Sequence, residues 1–193
     1  MSAYMWGFFT AVLVAVERFF YWFRKKKMSV VSDILVSEKI YLILKRLIDD
    51  TGADRISIFQ FHNGNYFYTG NSIEKMTNTH EVALQGISRE QVVSCDMMVA
   101  PYRSMLSGMI KNEIYSVVDI DDAGSYNEKA FFYERGAMSS HMILIKDKSE
   151  KLLGFICVDF VKKTSDLNDY GVAILKQASV AIYELLVFGE SKK

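Results

Sequence analysis

The sequence predicts an α+β fold: an antiparallel sheet of about six strands flanked by helices, with an N-terminal transmembrane helix ahead of it. Three observations point there. Long helical patterns open and close the body, over residues 29–50 and from about Asp166 to Phe188. Between them, short runs of strand formers alternate with turn residues. The first 27 residues differ in composition from everything that follows.

Ala3 to Phe23 is apolar except for Thr10 and the pair Glu17-Arg18. As a helix this stretch is about 31 Å long, one hydrocarbon thickness. Arg24-Lys25-Lys26-Lys27 follow as a cationic stop, which under the positive-inside rule holds the C-terminal side in the cytoplasm. Tyr4, Trp6, Tyr21 and Trp22 stand where an aromatic belt would put them. A cleavable signal peptide would carry its charge before the apolar run, not after it. A helix lying flat in the interface is the stronger rival, since the charge-free run ends at Val16. The expected division is a single-pass anchor over 1–27, a folded body over 28–189 and a polar tail over 190–193.

The remaining composition describes a globular body. Of 193 residues, 50% are hydrophobic and 24% charged, which excludes a disordered chain. The 23 basic residues balance the 23 acidic ones, giving no electrostatic reason to expect nucleic acid. Five of the basic residues and one acidic residue lie in the first 27, so the body is mildly acidic. Two distant cysteines, Cys95 and Cys157, make no disulfide framework and suit a reducing compartment.

Within the body, the first helix carries two apolar stripes, Val36-Ile40-Ile43-Leu47 and Ile34-Tyr41-Leu44-Ile48. The second suggests a partner helix, either the C-terminal one or a copy from another chain. Arg55 to His62 reads as a strand, Asn63-Gly64 as a two-residue hairpin turn, and Asn65 to Thr69 as the returning strand. Lys75 to Leu84 leans toward a third strand. Pro101 opens a helix to about Ile110, with Tyr102, Met105, Leu106 and Met109 inward. Glu113 to Val118 is a short strand. Ser125 and Glu128 cap a helix that ends at Gly136 and carries Phe131 and Phe132 inward. His141–Ile145 and Leu152–Phe160 form a second hairpin. The last helix is capped by Thr164 or Ser165, with the stripe Leu167, Tyr170, Ile174, Ala178, Ala181, Leu185.

Gly136-Ala137-Met138-Ser139-Ser140-His141-Met142-Ile143-Leu144-Ile145, then Lys148, then Leu152-Leu153-Gly154-Phe155-Ile156-Cys157-Val158-Asp159-Phe160 and a long apolar helix, resembles the C-terminal half of a GAF domain. Asp54-Arg55-Ile56-Ser57-Ile58-Phe59 looks like that family's first strand, and the resemblance covers residues 29 to 189. Phe59-Gln60-Phe61-His62-Asn63-Gly64 is also similar to a set of GAF-like proteins of bacteriophages and bacteria. The resemblance implies a sheet packed on one face by the first and last helices, a small-molecule pocket or its vestige on the other face, and dimerisation through the terminal helices. The cyclic-nucleotide-binding pattern fails: Val161-Lys162-Lys163 has no Asn before Lys, and no Phe precedes the later acids. Two distant cysteines do not suit methionine-sulfoxide reduction, and Cys95 alone gives bilin attachment little support.

The candidate ligand-binding residues are Gln60, His62, Asn78, His80 and Arg103. Gln60 and His62 share a strand face with Ile56 and Ile58, so that face turns polar toward the hairpin, as a pocket wall would. Arg103 opens its helix where it meets an anion or a surface carboxylate. His62, His80 and His141 with Cys95 or Cys157 lack a short chelating pair, and ordinary sheet histidines are the expectation. Asp119 to Gly124 begins like a calcium loop, but Ala130 stands where the bidentate Glu belongs. No catalytic residue, metal or cofactor is expected. The expected partners are membrane lipid, a second copy in a homodimer, and a small-molecule ligand or protein partner, with no nucleic acid. The function this implies is a membrane-anchored sensory module, or a vestigial scaffold whose pocket its own Met and aromatic side chains fill.

Overall fold

The computed structural model describes residues 30–112 and 114–189; the expected anchor and polar tail lie outside them. The order is α1 (Val30–Thr51), β1 (Arg55–Tyr66), β2 (Ser72–Ala83), β3 (Met97–Met98), a 3-10 turn (Ala100–Tyr102), α2 (Arg103–Lys111), β4 (Tyr115–Val117), a second 3-10 turn (Ile120–Asp122), α3 (Tyr126–Glu134), β5 (Ser139–Lys146), β6 (Leu152–Phe160) and α4 (Asp169–Phe188). The six strands form one antiparallel sheet in the order β3-β2-β1-β6-β5-β4.

Strand alternation divides the interior into two layers. Ile56 and Ile58 of β1, Ile143 and Ile145 of β5, and Ile156 and Val158 of β6 face α1 and α4. Their alternates Phe59, Met142, Leu144, Phe155 and Cys157 face α2 and α3, which supply Met105, Leu106, Met109, Phe131 and Phe132. Gly154 permits the central pairing: a Cβ there would lie 1.9 Å from the Phe59 carbonyl oxygen.

The α1 core face is a single strip, Val36, Ile40, Leu44, Leu47 and Ile48, drawn from both predicted stripes. Its neighbour is α4 of the same chain. Val30, Val31, Ile34, Leu35 and Leu42 stay exposed along the outside of α1. The fully buried positions of α4 are Gly171, Leu175, Ala178, Ser179 and Ile182; of the predicted stripe, Ala178 is buried, Leu167, Ile174 and Leu185 pack partly buried against the same core, and Tyr170 is exposed. Asn168, not Thr164 or Ser165, caps α4, accepting from the Gly171 N–H at 2.8 Å.

The first hairpin turns later than Asn63-Gly64 suggested. β1 runs on through both residues, with Asn63 opposite Glu74 and Tyr66 opposite Ser72. The reversal falls at Phe67–Asn71: Gly70 takes φ +82° and donates its N–H to the Phe67 carbonyl at 2.8 Å. Gly64 has no positive φ; it instead lies close under the Lys75 side chain. The strand expected over Lys75–Leu84 is β2, whereas Asn65–Thr69 is no returning strand: Asn65 and Tyr66 end β1 and the rest is turn, and Met97–Met98 is the edge strand beyond β2. Ser125 does cap α3, accepting from the Glu128 N–H at 3.3 Å.

Candidate functional site

The far face of the sheet, opposite α1 and α4, carries buried charge. Arg55 and Arg135, brought together from the start of β1 and the end of α3, converge on Asp159 near the end of β6. Asp159 Oδ2 accepts from Arg55 Nε at 3.0 Å and Nη2 at 2.9 Å, and from Arg135 Nε at 3.2 Å and Nη2 at 2.7 Å. Oδ1 accepts from the Ser140 hydroxyl at 2.9 Å and the Cys157 thiol at 3.2 Å. Burial alone would raise the Asp159 pKa, but Arg135 and then Arg55 outweigh it and hold it at about 2. Burial and the Asp159 charge push the Cys157 thiol up, which keeps it protonated.

The network continues along the sheet. Arg135 Nη2 donates to Ser57 Oγ at 2.9 Å, Ser57 donates to Glu81 Oε2 at 3.2 Å, and Asn78 Nδ2 donates to the same oxygen at 2.8 Å. The Arg135 guanidinium also lies 5.2 Å from the ring centroids of both Phe59 and Phe131. Asn78 Oδ1 and Arg135 Nη1 are buried without a partner. Around this polar strip Phe59, Met76, Met105, Phe131, Phe132, Met142 and Phe155 are buried against one another. The far face is therefore occupied by the protein's own side chains. Tyr115, packed over Gly108, donates to Glu128 Oε1, and burial followed by that bond pushes its phenol pKa up.

An open cleft of about 470 Å³ lies on the other face, where the sheet outruns α4. Gln60, Phe61, His62, Thr77, Thr79, Asp96, Leu153, Leu186 and Val187 line it. β2 bulges at Thr79, since Ile58 pairs with His80 but Phe59 with Asn78, and this brings Thr79 to the rim. His62 Nε2 lies 2.8 Å from Thr77 Oγ1 and 3.4 Å from Asp96 Oδ1, and the Asp96 N–H donates to Thr77 Oγ1 at 2.9 Å. Amide, imidazole, hydroxyl and carboxylate over an apolar floor can orient a small polar molecule.

The candidate residues are thereby distributed. Gln60 and His62 share the cleft, on the face of the terminal helices and not the far face that the resemblance implies for a pocket. Asn78 belongs to the buried network. His80 points at α1, with Nε2 3.2 Å from Ser37 Oγ and its ring against Tyr41. Arg103 is exposed at the start of α2. His141 lies between Ser116 Oγ at 2.8 Å and the Ser165 carbonyl at 2.9 Å. Among the described residues no three His, Cys, Asp or Glu side chains converge on a metal position. The sequence reading missed Arg55, Arg135 and Asp159; the available signal was a lone acid, Asp159, inside the otherwise uncharged run Leu152–Phe160.

A second, larger cleft of about 870 Å³ lies between the end of α2, β5 with the turn after it, and α4. Lys111, Lys146, Lys148 and Lys176 line it together with Tyr183 and Phe188.

This architecture, with terminal helices on one face of a six-stranded antiparallel sheet and short helices on the other, is the GAF-like fold. No family model matches the sequence, and no curated protein matches it. Solved structures do match. The blue-light-absorbing form of the PixJ GAF domain from Thermosynechococcus elongatus superposes with a TM-score of 0.61 at 10% identity, covering 83% of this chain and 92% of that one. The photoproduct state of a GAF domain, GAF3, from Synechocystis gives a TM-score of 0.61 at 9% identity, covering 79% and 94%. A domain of a two-component sensor histidine kinase protein from Sinorhizobium meliloti, itself described as putative, gives 0.56 at 14%, covering 80% and 92%.

Proposed function

We propose that the chain is a membrane-anchored, cytoplasm-facing GAF-like sensory module. In this reading it is a binding domain and not an enzyme, it dimerises through α1 and α4, and it takes a small polar ligand in the cleft beside Gln60 and His62. The observation that carries the reading is the apolar strip left uncovered on α1, the helix that leads back to Arg24-Lys25-Lys26-Lys27. The cleft supplies the coupling. Leu186 and Val187 of the last turn of α4 form its wall, and α4 packs on α1. A ligand seated there has different contacts for different α4 positions, which is the condition for a population shift. The protonated Cys157 thiol supports a binding role. Biliverdin, named for another similar GAF structure, does not fit the far face, whose volume is filled.

The test uses the full chain in mild detergent. Light scattering is expected to give a dimer that Leu42→Glu with Leu35→Glu converts to monomer, and mass spectrometry a small molecule whose retention falls with His62→Ala. A concentration-independent monomer refutes the dimer. A second reading, a ligand-free scaffold, is favoured by the packed far face; an empty cleft together with an intact dimer selects it.

A further inference from the structure

β1 pairs with β6 only from Arg55 to Gln60, whereas its pairing with β2 continues to Tyr66 opposite Ser72. β2 still pairs with β3 at Lys75 and Met76, so beyond Asn63 and Glu74 the hairpin stands out from the sheet as a two-stranded arm. Its tip exposes Tyr66, Phe67 and Tyr68 at 69, 54 and 108%. From Gly64 to Ile73 the arm contains no Asp, Glu, Lys or Arg; Glu74 and Lys75 lie at its base.

The start of α1 lies at the same end. α1 runs antiparallel to β1, because Ser37 and Tyr41 meet His80, which pairs with Ile58, while the chain passes from Thr51 into Arg55 at the opposite end. Going back from Ser37 to Val30 rises about 10 Å, and going out from Ile58 to Tyr66 covers about 26 Å. The tip thus passes the first residue of α1 by roughly 15 Å. Only Met28 and Ser29 separate Val30 from the basic cluster.

We propose that the Tyr66-Phe67-Tyr68 tip is a second membrane contact, seated at the headgroup–acyl boundary of the bilayer that holds the N-terminal anchor. The inference rests on the anchor reading. With the basic cluster at the phosphates, an arm reaching about 15 Å past α1 crosses a headgroup layer of about 5–8 Å. Tyrosine and phenylalanine suit that boundary, with rings toward the chains and phenol oxygens toward water. The uncharged arm brings no ion out of water. Two contacts, anchor and tip, fix the orientation of the body on the membrane, which a single tether leaves free.

The experiment uses the full chain in vesicles of phosphatidylcholine and phosphatidylglycerol. Cys95→Ser leaves only the fully buried Cys157 as a native thiol. An environment-sensitive fluorophore is then attached at Tyr68→Cys, or as a control at Lys163→Cys beyond the far end of β6, and spin-labelled lipid is the quencher. The expected result is co-flotation with the vesicles and several-fold stronger quenching at position 68 than at 163. Co-flotation with equal, weak quenching overturns the tip contact and leaves the anchor standing. A label at 68 that is shielded in proportion to protein concentration but untouched by lipid quencher makes a second copy the occupant, and also overturns it. Failure to float overturns the anchor reading and the tip contact with it.

Discussion

Replacing Asp159 with alanine removes the counterion of two buried guanidiniums at once. Arg55 is fully buried, the Arg135 side chain is 3% exposed, and both give Asp159 Oδ2 two hydrogen bonds each. The two guanidiniums lower the carboxyl from 3.8 to about 2, which favours its ionised form in the fold by roughly 2 kcal/mol. Truncation costs more than that, because the buried arginines lose their nearest counter-charge and keep only the more distant Glu90 beside Arg55; about 3–5 kcal/mol is expected. This is a large part of the stability of an ordinary domain. The assay is urea unfolding of the full chain in mild detergent, followed by far-UV circular dichroism, since both tryptophans, Trp6 and Trp22, lie outside the body. A triple variant, Arg55→Met with Arg135→Met and Asp159→Leu, should lie much closer to the parent than Asp159→Ala does. The depressed carboxyl pKa also fixes a sign: its contribution is complete above about pH 5 and is lost as the pH falls through 3.8 toward 2. A loss below about 1 kcal/mol for Asp159→Ala would refute the account of a buried, mutually dependent triad.

Other outcomes follow from single contacts. Gly154→Ala drives a Cβ into the Phe59 carbonyl and should destabilise by more than about 3 kcal/mol or abolish folding, read as a lost or lowered thermal transition. Gly70→Ala meets open space but keeps φ +82°, so a milder loss of about 1 kcal/mol is expected in the same melt. Ser125→Ala removes the α3 cap and should cost about 1 kcal/mol in urea. Burial pushes the pKa of His80 and of His141 down, so the unfolded chain takes up their protons first. Stability should fall as the pH drops below about 6.5, and His80→Asn with His141→Asn should flatten that slope; an unchanged slope would exclude these two histidines as its source.

The sequence was informative where local chemistry decides the structure. The Ser125 cap, the β5–β6 hairpin and the inward Phe131 and Phe132 follow from spacing within a few residues. It misled at Asn63-Gly64, whose turn propensity yielded to ten paired positions between β1 and β2. Gln60 and His62 were legible as a polar continuation of an apolar strand face, but which face the helices cover is a tertiary fact. The Arg55–Asp159–Arg135 triad joins residues 104 and 24 positions apart; the two arginines look locally like charges flanking apolar runs, and only the lone acid within Leu152–Phe160 stood out.

That triad also bears on how the molecule comes apart. Arg135 reaches Asp159 from the end of α3, while Arg55 and Asp159 are paired on the neighbouring strands β1 and β6, so one carboxylate is a latch between the α2–α3 layer and the sheet. Peeling the α2–α3 side away would strand a guanidinium with no water yet admitted to receive it. The two layers should therefore let go together, and amide exchange at α3 should slow to the pace of the central strands β1 and β6.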